Sequence, residues 1–549
     1  MIQTTKVRPG TIIAVLLTAW LALAAGGCTK VPAPDPLAGT EAAFLEFLDA
    51  ANAVGAIDSG LYKEYEGRDL AAWQALEQKH RAALTTSLAA IDESKLTPDQ
   101  ANALTAMRRT FNDYASETFA GDAKPACADR NRTELDFATM TEVLTACFRE
   151  LGNNMTFEGG TIDRGSALHL LHDIEEPQRR KAVFDAFLPL WAALNGNNEP
   201  DSPYRRVIRM AAEDAKKNGS YVDQAAKAIG VTNEDVERWL IEMLDAWRVA
   251  NGPTQIEPWD FRHSIGEANR LLAKVVPVHT LVPVNQRFYV DLGANLEALG
   301  VVYDLEPRAD KSPLAYCDFL VRGRYEQDGG WRPTRARVVG TYPYGGLFSL
   351  NELVHENGHA VHISAIRNRP AFTDWPDTLF TEAFADVPSW SVYEAAWQQK
   401  YLGTAIDEKT SLRSLFGNVM LDVAWSLFEL RMLRDPASDP NAVWTGITSH
   451  YLHIKPHPEV PWWAMRVQLG GNPGYMVHYG LGAVITAEVR KRTIEAIGPM
   501  DAGNPKWYEW TSEQLLVYGS ERDTKRLMQD FLGRPLTSAA VLEQLRRMQ

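Results

Sequence analysis

The stretch SLNELVHENGHAVH at residues 349–362 carries two histidines four residues apart, with a glutamate directly after the first. Residues four apart lie on one face of an α-helix, so the imidazoles of His355 and His359 can reach the same cation. Glu356 is rotated away from both rings but remains near enough to hold a water at that cation. The stretch therefore predicts a metal-binding helix, against the simpler alternative of a helix whose histidines bind nothing.

The same stretch contains signals for the start of its helix. Ser349, followed three residues later by Glu352, is typical of a capping box. Glycines 345–346 end the strand-like run that precedes it. We therefore expect the helix to begin at about Ser349, and the pattern stays helical from Leu350 to the end of the chain.

The next predicted helix offers a third metal ligand. A catalytic zinc takes three protein ligands and keeps a fourth position open. Glu382, in the segment TEAFADVPSW, is our candidate, and Asp386 follows one turn later, where it can accept the second N–H of a ligand histidine. Both acids also fit a solvated helix face, but the residues around them are apolar and aromatic, so two carboxylates there need partners.

The spacing of these motifs resembles that of a known group of enzymes. HENGH, a gap of 22 residues and then EAFAD is similar to the gluzincin peptidases, specifically the M3 oligopeptidases and the M2 peptidyl-dipeptidases. IEPWDFRH at 256–263 resembles a Trp-Asp signature of M3-like enzymes, and PGYMVHYGLGAVITAEV at 473–489 resembles their tyrosine segment. PWWAMR at 461–466 is closer to the M2 branch. The resemblance covers residues 205–490.

The resemblance implies a fold and a metal. The implied fold is a two-lobed, mainly α ellipsoid, split by a deep channel that admits unstructured peptides and excludes folded proteins. One zinc ion lies on the floor of that channel. His355, His359 and Glu382 match its ligands.

The resemblance also implies the roles of four further side chains. Glu356 matches the general base, and Asp386 matches the carboxylate behind a ligand histidine. Tyr479 matches a tyrosine that donates to the developing oxyanion, and Tyr475 matches one that helps to bind substrate. A phenol with a pKa of about 10 remains protonated at neutral pH and can serve as such a donor.

The chain departs from the pattern at several positions. Gly482 stands where M3 enzymes have another tyrosine, and Gly470 falls where they have a histidine. The Lys and His with which M2 enzymes grip a substrate C-terminus have no evident counterpart. His478 either replaces one of these donors or packs within its helix. Internal cleavage and release of C-terminal dipeptides are therefore both left open.

Composition and charge limit the kind of partner. The chain has 549 residues, of which 45% are hydrophobic, enough for a large buried core. The net charge of −14, from 56 basic and 70 acidic residues, argues against nucleic acid and anionic lipid as main partners. We expect a monomer that acts on short peptides.

The N-terminal residues are typical of a targeting segment. Residues 1–27 have a basic start, an apolar stretch too short to span a bilayer and a run of small residues, as in a bacterial lipoprotein signal peptide. Cys28 would carry the lipid, 28–40 is a Pro-rich tether, and 41–549 is the helical zinc-peptidase domain. We expect attachment on the periplasmic side of the envelope, at the outer membrane in preference to the inner. A plain secretory signal and a soluble periplasmic protein are the alternative.

Periodicity places the secondary structure. Residues 41–250 show apolar positions at three- and four-residue intervals throughout, which predicts helices. Strand-like runs are confined to residues 315–346, around a DGG turn just before the zinc helix. The chain is therefore predicted to be mainly α, with one small β-sheet beside the metal site.

The remaining cysteines allow one disulfide. Cys127 and Cys147 can close a short loop in an oxidising compartment, although spacing alone does not decide the pairing. Cys317 has no evident partner and is expected to be a buried thiol.

Several histidines lie outside the motif. His169, His172 and Asp173 fit the polar edge of a helix better than a second metal site, and His362 is expected only to pack beside His359. A further group either lines the channel, where Lys455 would contact a substrate carboxylate, or lies in turns. This group consists of His450, His453 and His457.

The preferred interpretation is a zinc metallopeptidase in which Glu356 activates the attacking water. The alternative from another functional class is a binding protein: a catalytically inactive lipoprotein that captures peptides in the same channel. An enzyme that hydrolyses a non-peptide amide is a third hypothesis, which differs only in the cleft.

Overall fold

The computed structural model describes residues 35–58, 60–61, 69–116, 126–308, 311, 315–326 and 328–549. The predicted signal peptide, Cys28 and most of the predicted tether lie outside these residues. The first helix begins at Ala38, so the last three residues assigned to the tether are helical, and Leu37 just before them is buried. Within the described residues no helix combines the length and apolarity needed to cross a bilayer.

The described residues are mainly helical, as predicted. The helices are α1 Ala38–Asp58, α2 Leu70–Ala89, α3 Pro98–Ser116, α4 Phe137–Gly152, α5 Arg164–Asp173, α6 Pro177–Asp185, α7 Leu188–Asn195, α8 Pro203–Asn218, α9 Tyr221–Ile229, α10 Asn233–Asn251, α11 Phe261–Ile265, α12 Glu267–Leu272, α13 Leu281–Asp291, α14 Gly346–Ala365, α15 Thr378–Ser389, α16 Ala395–Leu402, α17 Glu408–Arg434, α18 Pro440–Tyr451, α19 Gln468–Gly471, α20 Met476–Ile497, α21 Trp507–Thr511, α22 Thr524–Leu532 and α23 Ala539–Arg546.

The strands form three small sheets in the described part of the chain, where one was predicted. They are β1 Met155–Phe157, β2 Gly160–Ile162, β3 Val302–Asp304, β4 Tyr316–Val321, β5 Arg324–Tyr325, β6 Trp331–Arg332 and β7 Arg335–Val339. The largest sheet has the order β3-β7-β4, with β3 parallel and β4 antiparallel to β7. It packs against α14, so the prediction of a sheet beside the zinc helix is confirmed.

The hairpin of β1 and β2 lies within residues that were predicted to be helical throughout. Each strand has three residues, which is too short to show an alternating pattern in the sequence. Glu158 and Gly159 turn the chain with positive φ angles of 51° and 78°. Only the turn residues in FEGG signalled this hairpin, and the helical periodicity on both sides outweighed them.

The core of the molecule is built around α14. The largest cluster of buried apolar side chains extends from Cys127 to Met548. Within it α14 packs on α15, α15 on α20, and α20 on α17. Two smaller clusters attach the N-terminal helices, one through Phe372 and the other through Leu320 and Val339 of the sheet. The helix with the histidines is therefore central, held by helices from the C-terminal half and by the sheet.

The N-cap of helix α14 lies four residues earlier than the capping box predicted. Its N-cap is Gly345, and Ser349 lies inside the helix. The start is set by tertiary contacts: the N–H of Gly346 donates to the carbonyl of Val276 at 2.7 Å, and the N–H of Phe348 donates to Asn269 Oδ1 at 3.0 Å. These acceptors satisfy N–H groups that a local cap would otherwise serve.

Cys127 and Cys147 pair as the sequence allowed, whereas Cys317 is only half-buried, where a buried thiol was expected. Cys127 and Cys147 form a disulfide that joins the turn before α4 to α4 itself. Cys317 is a free thiol on β4 and faces the cavity described below. Its pKa is raised, first by burial and then by the negative charge of Glu356.

Candidate metal centre

The metal centre forms where α14 and α15 cross at Gly358. A Cβ atom at Gly358 would lie 2.7 Å from Cα and 2.8 Å from the carbonyl oxygen of Ala385. Contacts this short are not tolerated by real side chains, so only glycine permits the crossing. The close approach brings one turn of α14 directly against the turn of α15 that carries the candidate acids.

Three side chains at this crossing present donor atoms to one point. Nε2 of His355 is 3.5 Å from Oε2 of Glu382, and Nε2 of His359 is 3.9 Å from the same oxygen. All three donor atoms lie within 4.8 Å of one another. In the described part of the chain this is the only such group of three. The predicted ligand set is therefore brought together, and His169 and His172 form no second one.

Asp386 holds His355 from behind. Its Oδ1 is 2.8 Å from Nδ1 of His355, which leaves Nε2 of that ring facing Glu382. Such a carboxylate keeps the proton on Nδ1 and leaves the lone pair on Nε2 free for a metal. Burial alone would lower the pKa of His355, but the charge and hydrogen bond of Asp386 outweigh it and raise that pKa.

Glu356 lies next to the ligand atoms and lacks a partner. It is only 6% exposed, and its Oε2 is buried with no hydrogen-bond partner among the described residues. Its pKa is raised to about 8, mainly by burial, and further by nearby carboxylates such as Glu352 and Glu382. A carboxylate in this state is poised to accept and release a proton near neutral pH.

The other two ligands are also perturbed. Burial lowers the pKa of His359 to about 4, helped by the positive charge of His355, so its imidazole is neutral and able to bind a cation. Burial opposes the ionisation of Glu382, but the hydrogen bond from His355 and the charges of both histidines prevail and lower its pKa to about 2. His359 therefore offers a neutral imidazole nitrogen and Glu382 an ionised carboxylate oxygen.

The two candidate tyrosines stand in different places. Tyr479 lines the cavity, and its pKa is raised first by burial and then by the charge of Glu382, so its hydroxyl stays protonated. The hydroxyl of Tyr475 donates to Oε1 of Glu382 at 3.3 Å. Tyr475 is not among the residues that line the cavity. Its hydroxyl contacts the candidate metal ligand Glu382 instead.

Glu429 on α17 positions the start of the helix that carries Tyr479. It is fully buried and accepts the N–H of Gly474 at 2.8 Å and that of Val477 at 3.1 Å. A carboxylate at this place satisfies free N–H groups at the N-terminus of α20. Sequence reasoning missed it, because Glu429 lies in an apolar helix far from α20 in the chain.

The ligand group opens into a cavity of about 900 Å³. Its walls include side chains of α5, β4, α14, α15, α17 and α20, together with Arg262 on α11. A cavity of this size accommodates several residues of an extended peptide.

Three further histidines make packing or ion-pair contacts, and one of them, His169, also lines the cavity. His362 is buried among the rings of Trp375, Phe380 and Phe384, which confirms that it packs. His169 pairs with Asp173 at 2.9 Å along α5. His478 is tilted against the ring of Tyr475 at 5.7 Å.

The group at 450–457 does not line the cavity. His457 lies between Glu257 and Glu459 at 2.9 and 2.7 Å, and Lys455 pairs with Glu257 at 2.7 Å. These contacts tie the segment before the PWWAMR turn to the segment before α11. Lys455 and His457 are thus engaged with carboxylates, and the alternative in which this group lines the cavity finds no support among the lining residues.

Sequence reasoning also missed three arginines that line the cavity, Arg164, Arg262 and Arg466. Two of them lie in stretches that drew attention for other reasons, IEPWDFRH and PWWAMR. Nothing in the sequence indicated that the three meet, because they come from α5, α11 and the segment before α19.

Solved structures with the same fold are peptidases by name. No protein-family model and no curated protein matches the chain. The M32 carboxypeptidase from Deinococcus radiodurans R1 is similar with a TM-score of 0.53 and 16% identity, over 92% of this chain and 96% of that one. Metallocarboxypeptidase 1 of Trypanosoma cruzi gives a TM-score of 0.55 and 15% identity, over 93% and 99%. PZ peptidase A gives 0.58 and 14%, over 93% and 96%. These likenesses establish the mainly helical fold over nearly the whole chain.

Proposed function

We propose that this protein is a zinc-dependent peptidase that hydrolyses short unstructured peptides. The observation that carries the proposal is the convergence of His355, His359 and Glu382 beside Glu356, whose carboxylate is buried with an unsatisfied oxygen. The similarity of fold to proteins named as a carboxypeptidase, a metallocarboxypeptidase and a PZ peptidase supports it.

The donor set fits zinc. Two imidazole nitrogens and one carboxylate oxygen are the ligands of many catalytic zinc sites, and three protein ligands leave a position for water or substrate. Soft-metal sites would require thiolates, and Mg²⁺ or Ca²⁺ sites would require mainly oxygen. Asp386 contacts Nδ1 of His355 at 2.8 Å, so Nε2 is the ring nitrogen that faces the site.

The chain's own residues supply the rest of the chemistry. A zinc ion held by His355, His359 and Glu382 would lower the pKa of a water and polarise the scissile carbonyl. Glu356 takes the proton of the attacking water and later returns it to the leaving amine. Tyr479 donates its O–H to the carbonyl oxygen as negative charge develops there. Tyr475, through its hydrogen bond, orients the carboxylate of Glu382.

Turnover of internally quenched peptides tests the proposal. Activity should disappear with a chelator and return with added zinc. Glu356→Gln should retain one zinc per chain but lose at least about a hundredfold in kcat, the usual size of an acid–base contribution. Full activity in that variant would overturn the role of Glu356. Tight peptide binding without any turnover by the zinc-loaded wild type would instead favour the inactive peptide-binding lipoprotein.

We further propose that the protein is a monomer anchored in the bacterial envelope by a lipid on Cys28, facing the periplasm. The support is the composition of residues 1–27 and the tether that follows. Mass spectrometry of the mature N-terminus should detect a lipidated cysteine. Release of Cys28→Ser into the soluble periplasmic fraction would agree with it, and an unmodified wild-type N-terminus would contradict it.

A further inference from the structure

Three guanidinium groups line the cavity that contains the metal centre. Arg164 stands at the first turn of α5, Arg262 on α11, and Arg466 in the segment before α19. Arg466 lies over the ring of Tyr479, 5.7 Å from its centroid, and over the ring of Trp425 at 4.8 Å. The cluster is thus adjacent to the tyrosine that we assign to the reaction.

Negative partners for this cluster are few. Arg466 has an ion pair with Asp422. The Nε–H of Arg164 donates to the carbonyl of Met465 at 3.2 Å, and within the described residues no carboxylate lies at ion-pair distance from it. Arg262 makes neither a hydrogen bond nor an ion pair with any described residue.

The nearest acids do not compensate the excess charge. Asp163, beside Arg164, has its carboxylate bound by the N–H and hydroxyl of Ser166 at 2.9 and 2.6 Å. Glu352 interacts with Arg164 through space but forms no ion pair with it, and burial raises the pKa of Glu352 towards the neutral form.

The arginines therefore act mainly on one another. Burial and then the charges of Arg466 and Arg164 lower the pKa of Arg262 to about 9. Burial and the charge of Arg466 lower the pKa of Arg164 to about 10. Grouping like charges away from bulk water costs free energy of folding, so the arrangement favours an anion that enters the cavity.

We propose that Arg164, Arg262 and Arg466 form a subsite that binds a carboxylate of the peptide substrate. The proposal rests on the peptidase function and specifies which peptides the enzyme prefers. A planar guanidinium matches a carboxylate with two parallel N–H donors, and every linear peptide brings one such group at its C-terminus. Acidic side chains carry the same group, so the subsite binds either the C-terminal carboxylate of the peptide or the side chain of an Asp or Glu residue.

The subsite also orients the peptide. The arginine end carries positive charge with few carboxylate partners and attracts a substrate carboxylate. At the metal end, Glu356, Glu382 and Asp386 would offset the charge of a bound zinc ion. A peptide that enters with its carboxylate towards the arginines therefore presents its amide bonds to the metal end in one direction.

Matched peptides test the proposal with the zinc-loaded protein. The first pair is one neutral heptapeptide with either a free C-terminal acid or a C-terminal amide. The second pair is an amidated heptapeptide with either Glu or Gln at a single position. We expect wild type to prefer the acid in one pair by about 10- to 100-fold in kcat/KM, the effect of one or more charge-assisted hydrogen bonds. Preference in the first pair identifies the chain end, and preference in the second identifies an acidic side chain.

Arg262→Gln is the decisive variant because Arg262 has no partner to lose among the described residues. It should reduce the wild-type preference to within about threefold, mainly through a higher KM for the preferred acid, and leave the zinc content unchanged. The melting temperature should stay constant or rise, since an unpaired cation has been removed. Arg413→Gln, an exposed arginine of α17 outside the cavity, makes the same charge change and should keep the preference.

Three results would contradict the carboxylate subsite. Equal hydrolysis of acid and amide in both pairs by wild type contradicts it while leaving the peptidase function intact. A preference that survives in Arg262→Gln shows that Arg262 does not bind the substrate carboxylate. An equal loss for acid and amide, together with a lower melting temperature, shows that Arg262 has a structural role instead. If wild type hydrolyses nothing, the peptidase function fails, and the same pairs are compared by binding to zinc-loaded Glu356→Gln. Equal affinities for acid and amide would then also refute the subsite.

Discussion

The two ends of the cavity arrange charge in opposite ways. At the metal end three carboxylates surround two imidazoles, and His355 is hydrogen-bonded by Asp386 at 2.8 Å. At the arginine end the guanidinium of Arg262 has no hydrogen-bond or ion-pair partner among the described residues, and the charges that shift its pKa are those of Arg466 and Arg164. We propose that a resident cation completes the first arrangement, because its excess charge is negative and its donor atoms converge. The second is completed by an anion that arrives with the substrate.

This difference implies that substitutions can abolish metal binding at one end and carboxylate recognition at the other independently. The metal end is bound tightly into the core at the crossing of α14 and α15, so a change there should alter zinc binding and turnover together. The arginine end contributes only to the recognition of one substrate group. Tyr479 is close to both ends, since the charge of Glu382 acts on it and Arg466 lies over its ring. A substitution of Tyr479 can therefore affect both turnover and substrate recognition.

The largest effect is expected from Glu382→Ala. Removal of one of three ligands should take the zinc content after dialysis from one per chain to near zero and reduce turnover to background. Metal analysis and peptide hydrolysis measure the two quantities. If the comparison is right, this variant still binds the preferred acid peptide more tightly than its amide. Loss of that difference would mean that the arginines act only through the metal.

A smaller effect is expected from Tyr479→Phe. Loss of one donor to a developing oxyanion lowers kcat by about 10² to 10³, with little change in KM. The ratio of acid to amide hydrolysis should remain that of wild type, because the ring under Arg466 is retained. A changed ratio with an unchanged kcat would place Tyr479 in the arginine subsite instead of the reaction.

The smallest effect concerns packing beneath the metal end. Gly358→Ala should destabilise the protein by about 1–3 kcal/mol and weaken zinc binding, since a Cβ would meet the backbone of Ala385 at 2.7 Å. The matched control is Gly482→Ala in α20, where the nearest atom would lie 3.9 Å away. That variant should be neutral or more stable by about 0.5–1 kcal/mol, because alanine is favoured over glycine inside a helix. Thermal unfolding of the zinc-loaded variants measures both, and equal shifts would show that the crossing is not tight.

Local patterns were enough for much of the fold and of the metal end. His355 and His359 are one helical turn apart, and Glu382 with Asp386 repeats that spacing on the next helix, so spacing alone places each pair on one helix face. The boundaries failed where long-range contacts set them. Helix α14 starts at Gly346 because Val276 and Asn269 accept its first N–H groups, and neither residue is near it in sequence.

By itself the sequence determined a mainly helical chain, a helix with two histidines and a base, and a second helix with two acids. These follow from periodicity and spacing, which act over four to ten residues. Only the tertiary structure decided that Gly358 lets the two helices touch, that Tyr475 donates to Glu382, and that Arg164, Arg262 and Arg466 meet in one cavity. The physical reason is that these contacts join side chains from elements far apart in the chain. Their proximity is set by packing of the whole core, and no local pattern records it.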